Sequence, residues 1–578
     1  MKVCVIGAGP SGLTTIKQLL DEGHDVSCFE KNENIGGIWY RHDNDGDQMK
    51  VFDNLVLTTS MKLMSFSDFM HKGERTFTDH RGYFRYLERY TETYGLRDHI
   101  CFNSIVDDIS HKEGSWYVTI TADGKQIQHI FEAIALCTGP FKMPNRNIPE
   151  IQNFTGEIIH SCEYRNNREF YGKKVLVLGL AESGADIVRE ISNVSSECTL
   201  SIRSYSFLVP RLIAGKYATD TLTCRAHHYE MWARATNIPY RLKAFWGNHW
   251  FSKAVFFTFI TIYGLITYLL NVTLKVFQLC EGEKVLAPKN NMGQALYPSK
   301  LDIFTENTQE HLDFINEWNR KSHNGQGSWS QKIIFCKNVS FVPNIINEKI
   351  CVNDSGIDSI EGRKVYFKNA TIKEFDTIVL CTGFINDYSI FGDIKIKDNN
   401  VRNLYKHAFH PEYGGRLAVI GLLRPFSGGI PVCSEMQARY FALLCSNKLK
   451  LPANLEKLIQ QEKEWEETWT SLSPRHYEAL PSQIMFLDAI AQEIGCLMPI
   501  SKLLFKPKLM MKLWFCSFNQ SCYRLTGANN MYSQARREIM NEKLPAESNF
   551  VILVFSFLSI LPYFIHPRNL KFGKKLFG

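Results

Sequence analysis

Gly7, Ala8, Gly9, Pro10, Ser11 and Gly12 follow directly on the apolar run Val3, Cys4, Val5, Ile6. Glycines at this spacing let a backbone turn come close to a pyrophosphate, and the helical pattern Leu13, Ile16, Leu19, Leu20 behind them aims its positive N-terminal end at the phosphates. A second apolar stretch, residues 26–29, delivers Glu30 at the place where a carboxylate accepts hydrogen bonds from a ribose diol. The chemistry in prospect is dinucleotide binding. Gly36, Gly37, Ile38 and Trp39 add another close backbone approach and a flat aromatic. A plain NAD site would not need that extension, so a flavin nucleotide is the expected ligand.

A second strand-to-glycine turn runs from Val175 through Leu178 into Gly179, Leu180, Ala181, Glu182, Ser183 and Gly184, followed by a helix through Ala185, Ile187, Val188 and Ile191. It reads as another Rossmann start, with Ala181 in place of the middle glycine, where its methyl crowds the pyrophosphate. The next strand, 199–202, ends in Arg203 and Ser204 rather than in a carboxylate. An arginine there can pair with a 2′-phosphate, which favours NADP over NAD. The segment 51–70 has few helix signals and reads as a loop beside the flavin. Its hydroxyls Thr58, Thr59 and Ser60 could meet a flavin edge or a nicotinamide, and composition alone fits a plain polar loop equally well.

The elements that must hold these turns follow from periodicity. A helix is expected over 82–94, with Phe84, Leu87, Tyr90 and Tyr94 as its apolar side. A hairpin is expected over 116–121 and 126–131, turning at Asp123 and Gly124. The buried run Ala133, Ile134, Ala135, Leu136 ends in Cys137, Thr138, Gly139, and near-identical wording recurs from Thr377 to Cys381, Thr382 and Gly383. That repeat suggests a chain that leaves the first nucleotide domain and returns to it. The fold class is therefore α/β, with two Rossmann-like dinucleotide-binding domains, the second inserted in the first. The expected boundaries are 1–154 and 341–440 for the FAD domain, and 155–211 and 291–340 for the NADP domain. A membrane-associated insertion would cover 212–290, a C-terminal helical region 441–548, and an anchor with a basic tail 549–578.

The 578 residues, 45% hydrophobic and 22% charged, suit a multidomain globular protein. A net charge of +7 without a nucleic-acid-binding signature argues for a basic, membrane-facing surface and against nucleic acid as a partner. The sixteen cysteines form no CxxC pair or Cys/His cluster, so neither a metal site nor a disulfide framework is expected, and the catalytic body reads as cytosolic. Two apolar segments stand out. Residues 254–274 are uncharged between Lys253 and Lys275 and read as an interfacial or re-entrant element; residues 550–565 contain Pro562 and precede Arg568, Lys571, Lys574 and Lys575. Contact with membrane lipid is expected from both.

Phe154, Gly156, His160 and Tyr164, placed between the two glycine turns, form the pattern FxGxxxHxxxY. With it the chain resembles the flavin-containing monooxygenases, specifically the membrane-bound animal type. The likeness continues in Met64 to Phe69, Glu435 to Arg439 and Tyr523 to Gly527, and is loose only over about 212–330. The resemblance implies FAD contacts from Gly7, Ala8, Gly9, Pro10, Ser11, Glu30, Ile38 and Trp39, and NADP contacts from Ser183, Gly184, Ala185 and Asp186. It implies that NADPH reduces FAD, that molecular oxygen adds at flavin C4a, and that the resulting hydroperoxide oxygenates a soft nitrogen or sulfur of a small amine or sulfide. It also implies attachment to the endoplasmic reticulum membrane, with the catalytic domains facing the cytosol, and a role in xenobiotic metabolism. His160 is expected to be structural.

One departure lies nearest the chemistry. The family's asparagine beside the flavin, three residues before the loop lysine, is Thr59 here, before Lys62. Its hydroxyl can donate one hydrogen bond where an amide donates two, so Thr59 is the expected catalytic contact and extra hydrogen peroxide the expected consequence. Two other readings stay open: an enzyme that inserts oxygen beside a ketone or mainly releases peroxide, and a non-catalytic membrane scaffold, for which Ala181 and Thr59 are the only support. Homo-oligomerisation is left open.

Overall fold

The computed structural model describes residues 1–41, 51–72, 77–141, 143–213, 217–225, 228, 308–322, 335–385, 394–425, 428–467, 479–480, 482–499, 502–503 and 505–542. Its first unit opens with β1 (Lys2–Ile6), α1 (Pro10–Asp21) and β2 (Asp25–Phe29). Val3, Cys4 and Val5 are fully buried because a parallel sheet is covered on both faces. Helix α1 begins with Pro10, whose missing N–H is no loss at a helix start, and it buries Leu13, Ile16 and Leu19. Helix α2 (His80–Thr93) starts two residues before the expected position because the Asp79 carboxylate accepts from Gly82 N at 2.8 Å and caps it.

After β3 (Ile100–Cys101) the chain forms an antiparallel meander of β4 (Ser104–Lys112), β5 (Ser115–Ala122) and β6 (Lys125–Phe131) before β7 (Ala133–Leu136). The β5–β6 hairpin closes through Asp123 (φ 50°) and Gly124 (φ 70°), the paired left-handed residues of a two-residue turn.

The second unit repeats this plan. It contains β8 (Glu157–His160), β9 (Lys174–Leu178), α3 (Glu182–Ser192), β10 (Glu197–Ser201), the short β11 (Phe335–Cys336) and β12 (Cys351–Asn353). A meander of β13 (Ile357–Glu361), β14 (Lys364–Phe367) and β15 (Ile372–Glu374) then leads into β16 (Thr377–Leu380). The strand that completes the first sheet comes later, β17 (Leu417–Val419), and helix α4 (Ile430–Cys445) follows it. The two parallel sheets run β17-β7-β1-β2-β3 and β8-β16-β9-β10-β12.

The repeated Cys-Thr-Gly turn therefore does not mark a return to the first sheet. Strand β16 pairs in parallel with β9 and β8, and the return is made by the three residues of β17 against β7. In each unit the parallel strand that follows the meander ends in the same turn, so the repeat marks equivalent places in two copies of one plan. The boundary expected at 341 moves accordingly, since β12 to β16 belong to the second sheet. The expected insertion also starts too early. Asp220 and Arg225, both buried, bond to residues of the catalytic body, Arg225 through a two-pronged pair with Asp488 at 2.9 Å.

Residues 254–274 and 550–565 lie outside the described residues. Among the described residues no helix is long and apolar enough to cross a membrane. Strands β1 and β17 share one sheet and so lie on one side of any membrane.

Candidate functional site

The two glycine turns are built alike. Gly7 has φ +99°, and a Cβ there would stand 2.8 Å from the carbonyl oxygen of Cys137; Gly179 has φ +97°, and its Cβ would stand 2.7 Å from the carbonyl oxygen of Cys381. One turn on, a Cβ at Gly12 would lie 1.8 Å from the Gly7 oxygen, and one at Gly184 would lie 2.4 Å from the Gly179 oxygen. Here glycine is required by the meeting of strand, helix and Cys-Thr-Gly turn. Gly9 is different. Its nearest neighbour would be Gly37 Cα at 3.7 Å, so the space beside it is bounded by the backbone of the Gly36–Gly37 segment and lies open at the positive end of α1. Such a cradle fits a pyrophosphate.

Glu30 is buried at the end of β2. Its carboxylate accepts from Ala8 N at 2.6 Å and from Asn32 N at 3.0 Å, which fixes it against the first turn. Burial pushes its carboxyl above the ordinary range, against the pull of those two backbone donors. Ser11 spends its hydroxyl on Ser434 of α4 at 2.9 Å. Trp39 packs edge-on against Tyr83, ring centroids 4.9 Å apart, beside the half-buried Ile38, and Pro10 leads the helix. The FAD residues expected from sequence thus converge on one end of the first sheet.

In the second unit Ala181 caps α3 with φ −139° and ψ −161°, an extended conformation that alanine takes without strain. Ser183 is exposed, with Gly184 and Ala185 buried behind it, and Arg203 is exposed just beyond the end of β10. Asp186 is held internally: its carboxylate accepts from Asn338 Nδ2 at 2.7 Å and pairs with Arg211 at 3.4 Å. Its side chain therefore fixes α3 rather than facing a nucleotide. His160 is fully buried, with Nε2–H donating to the Gly383 carbonyl at 3.0 Å and Nδ1 accepting from Cys162 N at 3.2 Å. Burial lowers its pKa, so the ring is neutral and structural.

Thr58 and Thr59 are half-buried and Ser60 fully buried, just ahead of a loop whose next turn ends in a cluster of buried charges. Arg524, 1% exposed, reaches Asp68 at 2.8 Å and Glu435 at 2.7 Å; Asp68 also pairs with Lys17 of α1 at 2.7 Å. Four segments distant in sequence meet there. Ser60 itself is held from another direction, its N–H donating to Asp220 Oδ2 at 2.5 Å, and Asp220 is paired with Lys337. The backbone N–H of Lys337 donates to Glu182 Oε1 at 2.8 Å in the first turn of α3. Burial raises the Glu182 carboxyl above its ordinary value. Sequence reasoning missed Asp220, Lys337 and Asn338. The only local signal is the polar pair Lys337, Asn338 directly after β11. Among the described residues no cluster of His, Cys, Asp and Glu could hold a metal ion.

The family model described as flavin-binding monooxygenase-like matches residues 1–260 and 308–546. The chain belongs to the flavin-binding monooxygenase-like family. Among its relatives, the 4-hydroxybenzoate brominase (decarboxylating) of Pseudoalteromonas luteoviolacea is 31% identical over 93% of this chain and 92% of its own. The human flavin-containing monooxygenase 2 is 25% identical over 94% and 91%. Among solved structures, S-allyl-L-cysteine S-oxygenase from Allium sativum aligns with a TM-score of 0.55 at 20% identity, covering 93% of this chain and 98% of that one, a likeness of fold. Membership makes the chain a flavin-dependent monooxygenase that works with FAD and NADP(H).

Proposed function

We propose that this enzyme uses NADPH and molecular oxygen to oxygenate soft nucleophilic nitrogen or sulfur atoms of small molecules. FAD is assigned to Gly7, Ala8, Gly9, Pro10, Ser11, Gly12, Glu30, Ile38 and Trp39. NADP(H) is assigned to Ser183, Gly184, Ala185 and Arg203. The carrying observation is the duplicated glycine turn, with the loop of Thr58, Thr59 and Ser60 tied to the second turn through Asp220 and Lys337. Bound FAD supplies the redox chemistry, accepting hydride from NADPH and passing electrons to dioxygen, so that one oxygen atom reaches the substrate and the other leaves as water. The chain's own share is to orient two nucleotides, exclude water and offer the Thr59 hydroxyl as a donor. Membership in the flavin-binding monooxygenase-like family weighs against the scaffold reading.

A second reading has its own support. Two relatives at 31% identity are named 4-hydroxybenzoate brominases, which makes bromide, itself a soft nucleophile, a candidate oxygen acceptor. For attachment, residues 254–274 and 550–565 supply the apolar contact with lipid, and the endoplasmic reticulum, with catalytic domains toward the cytosol, is the proposed compartment. The test is product analysis of the yellow, FAD-loaded protein with NADPH and, in parallel, a sulfide, a tertiary amine, a cyclic ketone, and bromide with a phenol trap. S- or N-oxide supports the first reading, bromophenol the second; lactone alone, or peroxide alone in every arm, overturns both.

A further inference from the structure

Lys337 joins the first turn of α3 to the Thr58–Ser60 loop, beside a second link in which Arg211 reaches Asp186 at 3.4 Å and the Val56 carbonyl at 3.5 Å. The Lys337 backbone N–H holds Glu182 in the first turn of α3, at 2.8 Å, and the next residue, Asn338, holds Asp186 of the same helix at 2.7 Å. The Lys337 ammonium pairs with Asp220, whose other carboxylate oxygen takes the Ser60 N–H at 2.5 Å. Asp220 is 2% exposed and the Ser60 side chain fully buried, while the Lys337 side chain is 21% exposed, so the pair is partly shielded from solvent and screened less than a surface pair. The partners are 160 and 155 positions apart in sequence along its two outer links. One end of the run is the turn assigned to NADP(H), and the other is the residue next to Thr59.

Resting on the function proposed above, we infer that the Asp220–Lys337 pair is a positioning link: it sets the Thr58–Ser60 loop in register with the nicotinamide-nucleotide turn. The link thereby couples NADP+ retention to protection of the oxygen-transferring state. Neither residue is assigned contact with substrate. If α3 shifts on losing nucleotide, Lys337 moves with Glu182 and Asp220 with Lys337, and Ser60 N–H loses its fixed acceptor. Reciprocity then requires that loosening the loop weaken the nucleotide.

The test uses FAD-loaded full chain and four variants: D220N, K337M, the D220N/K337M double variant and K337R. Three readouts are taken: thermal midpoint, the Kd of NADP+ for the oxidised protein by fluorescence titration, and hydrogen peroxide released per NADPH oxidised. D220N and K337M are each expected to raise the NADP+ Kd about tenfold and to increase peroxide release, while K337R, which keeps the pair, stays near the natural protein. Removing both charges together spares the cost of one stranded ion, so the double variant should regain thermal stability. It should not regain NADP+ affinity or coupling, because the link is still broken. If the double variant recovers all three readouts, the pair is merely structural and the inference is wrong. If every variant keeps the natural Kd and peroxide ratio, it is equally wrong. If the natural protein itself binds no NADP+, the proposed function fails, and that result is distinct from the other two.

Discussion

Replacing Gly12 and Gly9 separately by alanine should have opposite consequences, although the two stand three residues apart in one turn. A Cβ on Gly12 would lie 1.8 Å from the Gly7 oxygen and 2.9 Å from its carbonyl carbon. An ordinary carbon-to-oxygen contact is about 3.3 Å, so α1 and the turn must part by about 1.5 Å. Neither can give way cheaply, since the helix is seated on β1 through the fully buried Leu13 and Ile16. Forced separation of this kind costs about 1–3 kcal/mol or more, and Gly12→Ala should lower the stability of the protein even before cofactor is added. A Cβ on Gly9 meets only the Gly37 backbone, Cα at 3.7 Å and N at 3.9 Å, both ordinary contacts, and the backbone there, φ −72° and ψ −176°, suits alanine. The apoprotein of Gly9→Ala should therefore be as stable as the natural one. Its methyl fills the space assigned to the pyrophosphate, and FAD affinity should fall by about tenfold or more, equivalent to about 1.4 kcal/mol. The assay is denaturant unfolding of apoprotein together with FAD titration. Natural FAD affinity in Gly9→Ala would refute the placement of the pyrophosphate, and natural stability in Gly12→Ala would refute the abutment of turn and helix.

Three further outcomes are expected. Thr59→Asn should lower the peroxide released per NADPH oxidised, because an amide donates twice where the hydroxyl donates once; one donor in a buried site is worth about 1–3 kcal/mol, and a higher ratio in the variant would show that Thr59 is an adapted contact. Arg203→Ala should reduce the NADPH-over-NADH preference in kcat/KM, and an unchanged preference would place the 2′-phosphate elsewhere. His80, 2% exposed at the start of α2, is held down by burial to about 4 from an ordinary 6.5. Between those values the unfolded chain binds the proton and the folded one does not, so stability should fall as pH drops through that window, by about 2 kcal/mol between pH 7 and pH 5. Denaturant titrations of natural protein and His80→Gln at both pH values check this, and an equal pH dependence in both would contradict it.

What the sequence made legible were patterns with a local cause. The run from Val3 to Glu30 states strand, glycine turn, helix and carboxylate within one unit, and the structure places Glu30 on Ala8 N as that order requires. Asp123 and Gly124 announced a hairpin because only a left-handed pair closes it tightly. Strand β4 escaped notice because its apolar positions are sparse and an irregularity between Val106 and Asp108 shifts its register. The return strand β17 was masked by Thr377 to Gly383, which imitates the first unit's turn because its cysteine carbonyl has the same task, packing on the first glycine. Asp220 left no local signal and Lys337 only its place in a polar pair after β11, since their meaning lies in partners more than 100 residues away. The charges at Asp68, Glu435 and Arg524 were visible as separate segments, and only the fold shows that they are one cluster.

The most direct test of the central claim is oxygen transfer itself. FAD-loaded protein is mixed with NADPH and a small sulfide under isotopically heavy dioxygen, and NADPH oxidised, peroxide released and label in the sulfoxide are counted together. The account predicts one heavy oxygen atom in each sulfoxide and product formed in proportion to the NADPH not diverted to peroxide. Sulfoxide carrying oxygen from water, or NADPH consumed entirely to peroxide with no labelled product from a sulfide, an amine or bromide, would contradict it.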